Sequence, residues 1–500
     1  MTVSRGRQRF PAWSPELARA ALSGHSVLGL SLGVLLYLTC LTGTLSVFRE
    51  ELSLWEAPFD ERLEQLSPEL ATRVVHEAVD PAVEEPGDIM LGFPRPERPY
   101  GMLHVSDGEQ TIRRAIGAGG AMSDPLLTPW TDFLVQLHAD LRIPRFGPVI
   151  VGLLGVFLLS SLLTGLVAHR KILIDAFAIR RAGSPRLLHA DLHNRLGAWG
   201  LPFHLLIAVT GAFLALTPPL AAVAVWYGYA DGIEEVAAVY NGEFPAPAAT
   251  AAVLPDIGSI MAGMRRIAPR ERIEHLVLRR PGTVHQVVDV ETDVFPHLAY
   301  AEVRRFASDG EYLGSRHYSD GPAGLQFFAA SGTLHLGDFD RLAVRIVYGL
   351  LGLALTVCCV CGVNAWFKSA IQKGRAVAAA DRLWRAAVWG IPMSLGACAL
   401  VSLVSGGGLA TIFYAVLAGV LASAVIRVET DAYDRFLRGA LAIVLWSIAL
   451  AFGIVHGRLS VTPNNLLVGG LLLATGAVLA GSLPRIRNAV TRCFLPLRQA

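Results

Sequence analysis

Eight stretches of this 500-residue chain are nearly free of charge over lengths that suit a bilayer, and a backbone that enters hydrocarbon has few folds open to it. Each peptide group must find its hydrogen bond within the protein, which leaves helices or closed barrels. At about 1.5 Å per residue, roughly 20 residues of helix cross about 30 Å of hydrocarbon. The runs cover residues 27–48, 149–168, 196–217 with a continuation past Pro218 and Pro219, and 342–367; four shorter ones follow at 386–404, 409–426, 439–455 and 466–483. They predict about eight helices. Composition agrees: hydrophobic residues make up 53% before the 49 glycines are counted, and charged residues only 17%, which excludes an ordinary soluble enzyme and a disordered chain. With 43 Lys+Arg against 41 Asp+Glu there is no basic field for nucleic acid. The first run is too long for a signal-peptide core and is followed by Phe48-Arg49-Glu50-Glu51, so it is read as a retained anchor.

Lys and Arg in the short connections set the orientation. Arg5, Arg7, Arg9 and Arg19 precede the first run, and Arg170, Lys171, Arg180, Arg181, Arg186 and Arg195 join the second to the third. Lys368, Lys373, Arg375, Arg382 and Arg385 follow the fourth, and Arg485, Arg487, Arg492 and Arg498 the eighth. Both termini are therefore expected in the cytoplasm. The chain divides into an N-terminus with the first span (1–48), a polar insert (49–146), two spans (147–226), a second polar insert (227–341), a fourth span (342–367) and four C-terminal spans (368–500). Both inserts face outside on this reading. Each alternates as strands do, in His285-Gln-Val-Val-Asp-Val and Ala299-Tyr-Ala-Glu-Val-Arg-Arg-Phe, and each holds an amphipathic helical segment, near 68–79 and 256–267. One small α+β module folded from both is expected. All six cysteines lie in apolar runs or in the last few residues, so no disulfide framework supports the inserts. Cys358, Cys359 and Cys361 read as packing residues of a membrane helix.

Six of the fourteen histidines, His25, His138, His169, His193, His204 and His335, lie within or beside the first four spans, whereas the last four contain only His456. Ionisable side chains at membrane depth are functional candidates. Facing helices with one neutral imidazole each are what a six-coordinate b-type haem requires, each Nε2 taking one axial position on iron. Topology sorts the candidates into two layers. His25, His169 and His193 fall near the cytoplasmic face, and His138 and His335 near the outer one. His193 and His204 are eleven residues apart, about 20° from whole turns, so on one continuous helix they share a side at different depths; Pro202 between them is a potential kink. The expected pairs are His138 with His335 and His193 with His25 or His169, with His204 as the alternate for either. Glycines at 24, 29, 33, 43, 152, 155, 165, 197, 200 and 211 offer close approach or simply pack helices, and Arg170 and Lys171 are candidates to pair haem propionates.

Several segments carry a resemblance. His25 with Leu41-Thr-Gly-Thr-Leu-Ser-Val-Phe-Arg-Glu-Glu, Leu137-His138, Leu163-Thr-Gly-Leu-Val-Ala-His169-Arg-Lys, Asp191-Leu-His193-Asn, Leu201-Pro-Phe-His204 and Leu334-His335 occur in an order that resembles the PepSY-associated transmembrane helix family, over about residues 20–370. That family includes iron-regulated membrane proteins and ferric-siderophore reductases. The resemblance implies a haem-containing bacterial inner-membrane protein with a periplasmic PepSY-like region, able to pass electrons to ferric siderophores. The sequence departs from the pattern at the end of the fourth span, Cys361-Gly-Val-Asn-Ala-Trp366-Phe-Lys, and at Leu336-Gly-Asp-Phe. The expectation is an all-α polytopic membrane protein whose four-helix, histidine-bearing core carries two b-type haems beside the α+β module. It takes electrons from a cytoplasmic or quinone donor and delivers them to a ferric siderophore or another periplasmic acceptor. No glycine-rich nucleotide fingerprint appears, so no fused flavin or nicotinamide domain is expected. The alternatives are a non-enzymatic siderophore or haem transporter component and a PepSY-type regulatory membrane protein.

Overall fold

The computed structural model describes residues 14–79, 87–95, 98–106, 111–169, 185–233, 252–293, 301–316, 318–339, 342–426 and 429–481, with positions 235, 236, 238, 298 and 299. The chain forms two compact units. One gathers residues 1–52, 129–216 and 342–500; the other gathers 53–128 and 217–341.

The first unit is helical. Its N-terminal segment is a pair, α1 (Pro15–Ser31) and α2 (Gly33–Ser46), bent by 71° rather than the single span expected over 27–48. The Ser14 hydroxyl caps α1 by accepting from the Leu17 amide, and Pro15 starts the first turn. At the bend Gly33 brings α2 onto α11 (Leu342–Gln372) and α12 (Ala378–Ser402): a Cβ there would lie 3.3 Å from Val363 and 3.7 Å from Trp384. The short helix α3 (Arg49–Glu56) follows, and α4 (Pro68–Ala78) lies in the other unit; α5 (Pro129–Asp140) then leads into the 22-residue α6 (Gly147–Ala168). The third run is interrupted as well. Pro202 has no amide to offer the preceding turn, and the helix divides at Gly200 into α7 (Pro185–Trp199) and α8 (Leu201–Trp226), which does run through Pro218 and Pro219. Leu36, Leu154, Leu158, Ala208 and Leu355 form the apolar cluster where α2, α6, α8 and α11 meet.

The remaining helices are α13 (Leu409–Ser423), α14 (Thr430–His456) and α15 (Pro463–Gly481). Among the described residues, six helices are long and apolar enough to cross a membrane alone, or seven if the bent pair is one span. The expected eight are not reached because α13 has 15 residues and rises only about 22 Å. The chain is a multi-pass membrane protein. Hydrogen bonds dock its C-terminal helices on the earlier ones: Trp130 Nε1 donates to Leu395 O (2.9 Å) and Tyr37 Oη to Val388 O (2.8 Å), both buried, and Tyr414 Oη to Leu141 O (2.7 Å). These helices also hold charge that the histidine count overlooked. Asp434 accepts from Trp389 Nε1 at 2.8 Å and pairs with Arg438 at 2.9 Å and Arg385 at 3.5 Å.

The second unit is built on one antiparallel sheet ordered β3-β2-β1-β4-β5-β6-β7. The first insert gives β1 (Ile89–Gly92), β2 (Gly101–Ser106) and β3 (Thr111–Ile116); the second gives β4 (Ile273–Arg279), β5 (Val287–Thr292), β6 (Glu302–Ala307) and β7 (Tyr312–Arg316). The inserts join where β1 pairs with β4, Ile89 opposite Leu278 and Gly92 opposite His275. Helices α4 (Pro68–Ala78) and α9 (Ile257–Ile267) each bury one apolar stripe, and Val74, Val75, Ile260 and Met264 close over Leu91, Leu276, Val288 and Phe306 in a single core. Helix α10 (Ala323–Leu336) ends this unit's sequence.

On β2, His104 shares the sheet face with Arg113, its cross-strand partner on β3. Burial, then the positive charges of Arg113 and Arg98 and the neighbouring His275, push its pKa from 6.5 down to about 4. The unfolded chain therefore binds this proton between pH 6.5 and 4 while the folded one does not. Stability is full above 6.5 and falls by up to about 3 kcal/mol as pH drops to 4. His104→Asn is expected to flatten that slope. Melting temperatures at pH 7 and pH 4.5 check it, and an unchanged pH dependence in the variant would count against it.

Candidate functional site

Three of the six candidate histidines sit in cradles of one design. His25 of α1 donates Nδ1–H to the Ser161 carbonyl of α6 at 2.9 Å and lies over Gly165, whose Cβ, if present, would be 3.3 Å from the imidazole. His193 of α7 donates Nδ1–H to the Cys358 carbonyl of α11 at 2.9 Å and lies over Gly362, where the added Cβ would come within 2.9 Å. His138 of α5 donates to the Thr39 carbonyl of α2 at 3.0 Å and lies over Gly43, with the added Cβ at 2.6 Å. Each cradle pairs a carbonyl with a glycine one helical turn further on, so the ring reaches the neighbouring backbone only because no side chain intervenes. A carbonyl can only accept. Nδ1 therefore carries the proton and Nε2 keeps the lone pair, the tautomer that binds a metal through Nε2.

His25 and His193 are brought together, with ring centroids 5.7 Å apart and planes inclined at 61°. Two imidazoles on opposite sides of one metal ion, each Nε2 about 2 Å from it, have centroids about 6 Å apart. Among the described residues no three His, Cys, Asp or Glu side chains converge as a metal-ion cage. The residues thus fit an axial pair for haem, and the fit rests on the tautomer, the spacing and the glycine clearances. His169, the C-cap of α6, lies within electrostatic reach of His193. Cys358, read from sequence as packing, touches the site: its Sγ is 3.3 Å from His193 Nδ1 and 3.4 Å from His193 O.

The other candidates are placed differently. The division at Gly200 puts His193 and His204 on separate helices, so the shared-face relation of a continuous helix does not apply. His204 is fully buried, and among the described residues neither ring nitrogen has a hydrogen-bond partner; the Leu351 backbone lies near it but outside bonding geometry. It packs over Gly200 and beside Phe203, which stacks edge-on against Tyr348. His335 is half-buried on the last turn of α10 and belongs to the second unit. Arg170 and Lys171, the propionate candidates, lie outside the described residues. Sequence reasoning missed Cys358 and Gly362 as neighbours of His193, because their sequence distance hides the contact.

A family model for the PepSY-associated TM region matches residues 22–369, a stretch that includes all six histidines and ends within α11. The chain belongs to the PepSY-associated TM family. The α12–α15 helices of this family member lie beyond the matched region. It is 32% identical over 256 residues to an uncharacterized protein of Pseudomonas aeruginosa, covering 48% of this chain and 64% of that one. The match thus spans less than two thirds of the relative's length.

Proposed function

We propose that this PepSY-associated membrane protein is a b-type haem protein that carries electrons across a bacterial inner membrane, and that His25 and His193 are the residues that would hold one haem. The observation that carries the reading is the pair itself: two imidazoles 5.7 Å apart, each tied through Nδ1 to a backbone carbonyl. Bound there, haem supplies a one-electron couple tuned by its axial ligands. The chain's own part is to hold the imidazoles in the Nε2-basic tautomer, clear the approach with Gly165 and Gly362, and keep water out with the Leu36, Leu154 and Leu355 cluster. A second haem rests on the sequence reading alone. The Lys and Arg distribution sets both termini in the cytoplasm, with a cytoplasmic or quinone donor. The acceptor is a ferric siderophore at the outer face; reduction loosens it because Fe(II) is the poorer partner for hard oxygen ligands.

The test is the absorption spectrum of the purified chain. A dithionite-reduced α-band of bis-histidine haem b, diminished in His25→Ala and His193→Ala, is expected. A colourless but well-folded protein would sink the proposal. Ferric siderophore reduction, followed with a ferrous chelator, then addresses the substrate.

A further inference from the structure

We infer that residues 15–168 and 185–372 are two copies of one repeat, and that each copy supplies one histidine, His25 and His193, to a single site on the pseudo-two-fold axis between them. The occupant rests on the haem reading above; the duplication does not. Both copies have the same order of parts: a broken helix (α1–α2, α7–α8), an eleven-residue amphipathic helix (α4, α9), antiparallel strands, a short helix with Leu-His in its last turn (α5, α10), and a long span (α6, α11).

Intervals along the chain agree residue for residue. Gly29 and Thr42-Gly43 follow His25 at the same distances as Gly197 and Thr210-Gly211 follow His193. Gly152-Leu-Leu-Gly155, Ser161 and Gly165 follow His138 at the same distances as Gly349-Leu-Leu-Gly352, Cys358 and Gly362 follow His335. The packing repeats with them. In the first copy's span, a Cβ on Gly152 would lie 2.5 Å from Leu216 and one on Gly155 3.0 Å from Ala212. In the second copy's span, a Cβ on Gly349 would lie 2.6 Å from Phe48 and one on Gly352 2.7 Å from Thr44. Leu216 and Ala212 stand to Gly211 as Phe48 and Thr44 stand to Gly43, so each span packs on the other copy's helix through equivalent residues. Each span also cradles its own copy's histidine, at Ser161/Gly165 and Cys358/Gly362. Four contacts in each copy have their equivalent in the other and define the axis, beside which the two imidazoles lie with centroids 5.7 Å apart.

The repeat also separates ligands from bystanders. His138 has a counterpart, His335. His169 corresponds to Trp366, and His204 to Leu36, an apolar member of the central cluster. Neither can belong to a pair that the duplication generated, so the partner of His193 is His25 and not His169.

Haem content and low-spin electron paramagnetic resonance of the full chain in detergent read the ligand assignment. His25→Ala and His193→Ala are each expected to lose the same single haem, and the double variant no more than either. His169→Ala and His204→Leu retain the wild-type content and signal. Loss of haem in His169→Ala with retention in His25→Ala would overturn the pairing. The duplication is tested without haem by oxidative cross-linking of cysteine pairs in membranes, read by mass spectrometry of the linked peptides. Gly155→Cys with Ala212→Cys and Gly352→Cys with Thr44→Cys should both close, from Cβ separations of 3.0 and 3.4 Å that need only a small shift to reach the roughly 3.8 Å of a disulfide. The same-copy combinations Gly155→Cys with Thr44→Cys and Gly352→Cys with Ala212→Cys should not. Equal closure of all four would overturn the exchanged packing. A colourless wild type with the expected cross-links would refute the haem reading alone.

Discussion

Arg345→Met is expected to destabilise the membrane unit by about 3 kcal/mol, among the largest effects of any single substitution in the chain. Arg345 opens α11 with its side chain only 6% exposed, and it bridges Glu50 at 2.9 Å and Glu51 at 3.0 Å on α3. The Glu51 carbonyl also receives the Asn464 amide from α15 at 3.0 Å, so one guanidinium holds the start of α11 to the segment that ties in the last helix. Methionine replaces the volume and leaves two carboxylates without their counter-charge. Burial already raises the Glu51 pKa, with Arg345 opposing it. Without Arg345 the carboxyl takes up a proton at a higher pH and escapes part of the penalty in acid. The loss should therefore be larger at pH 8 than at pH 5. Melting temperature in detergent at the two pH values reads it, and equal losses would show that the carboxylates do not drive the effect.

Gly43→Ala is expected to displace His138 and cost about 2 kcal/mol. The new methyl would sit 2.6 Å from Cε1 and 3.0 Å from Nδ1, while the ring is held by its bond to the Thr39 carbonyl. Clearing the methyl means breaking that bond. The same change should matter less at Gly362, where the nearest imidazole atom is 2.9 Å away, and least at Gly165, at 3.3 Å. At Gly24 nothing lies within 4 Å, so alanine there should be neutral or stabilise α1 by its better helix propensity. Melting temperatures of the four variants give the order, and haem content reports the ring displacement separately. A Gly43→Ala protein as stable as Gly24→Ala would contradict the close packing.

The parts legible in the sequence were those whose cause is local. The span from Leu342 and the helices from Pro68 and Ile257 follow from uninterrupted apolar runs or apolar stripes, and they form close to where those patterns set them. The bend at Leu32 is set by what Gly33 meets on α11 and α12, which no nearby residue encodes. The break at Gly200 had a local signal in Pro202. Histidines could be picked out by type and depth, but their cradles join residues more than a hundred positions apart, as His25 joins Ser161 and His193 joins Cys358. Four-residue β1, Ile-Met-Leu-Gly, is too short to show an alternation and becomes a central strand only through its neighbours.

That strand has a consequence for biogenesis. Ile89 pairs with Leu278, so β1 leaves the ribosome long before the strand that covers its second edge exists. At about 5–20 residues per second, the wait is on the order of ten to forty seconds. Two apolar helices, α6 and α8, are synthesised in the interval. During that time the half-sheet β1–β3 presents an open edge and an apolar face that only α4 can cover, the features by which nascent strands aggregate. A chaperone on that side of the membrane has its binding window set by the distance along the chain between two strands that end up 5 Å apart.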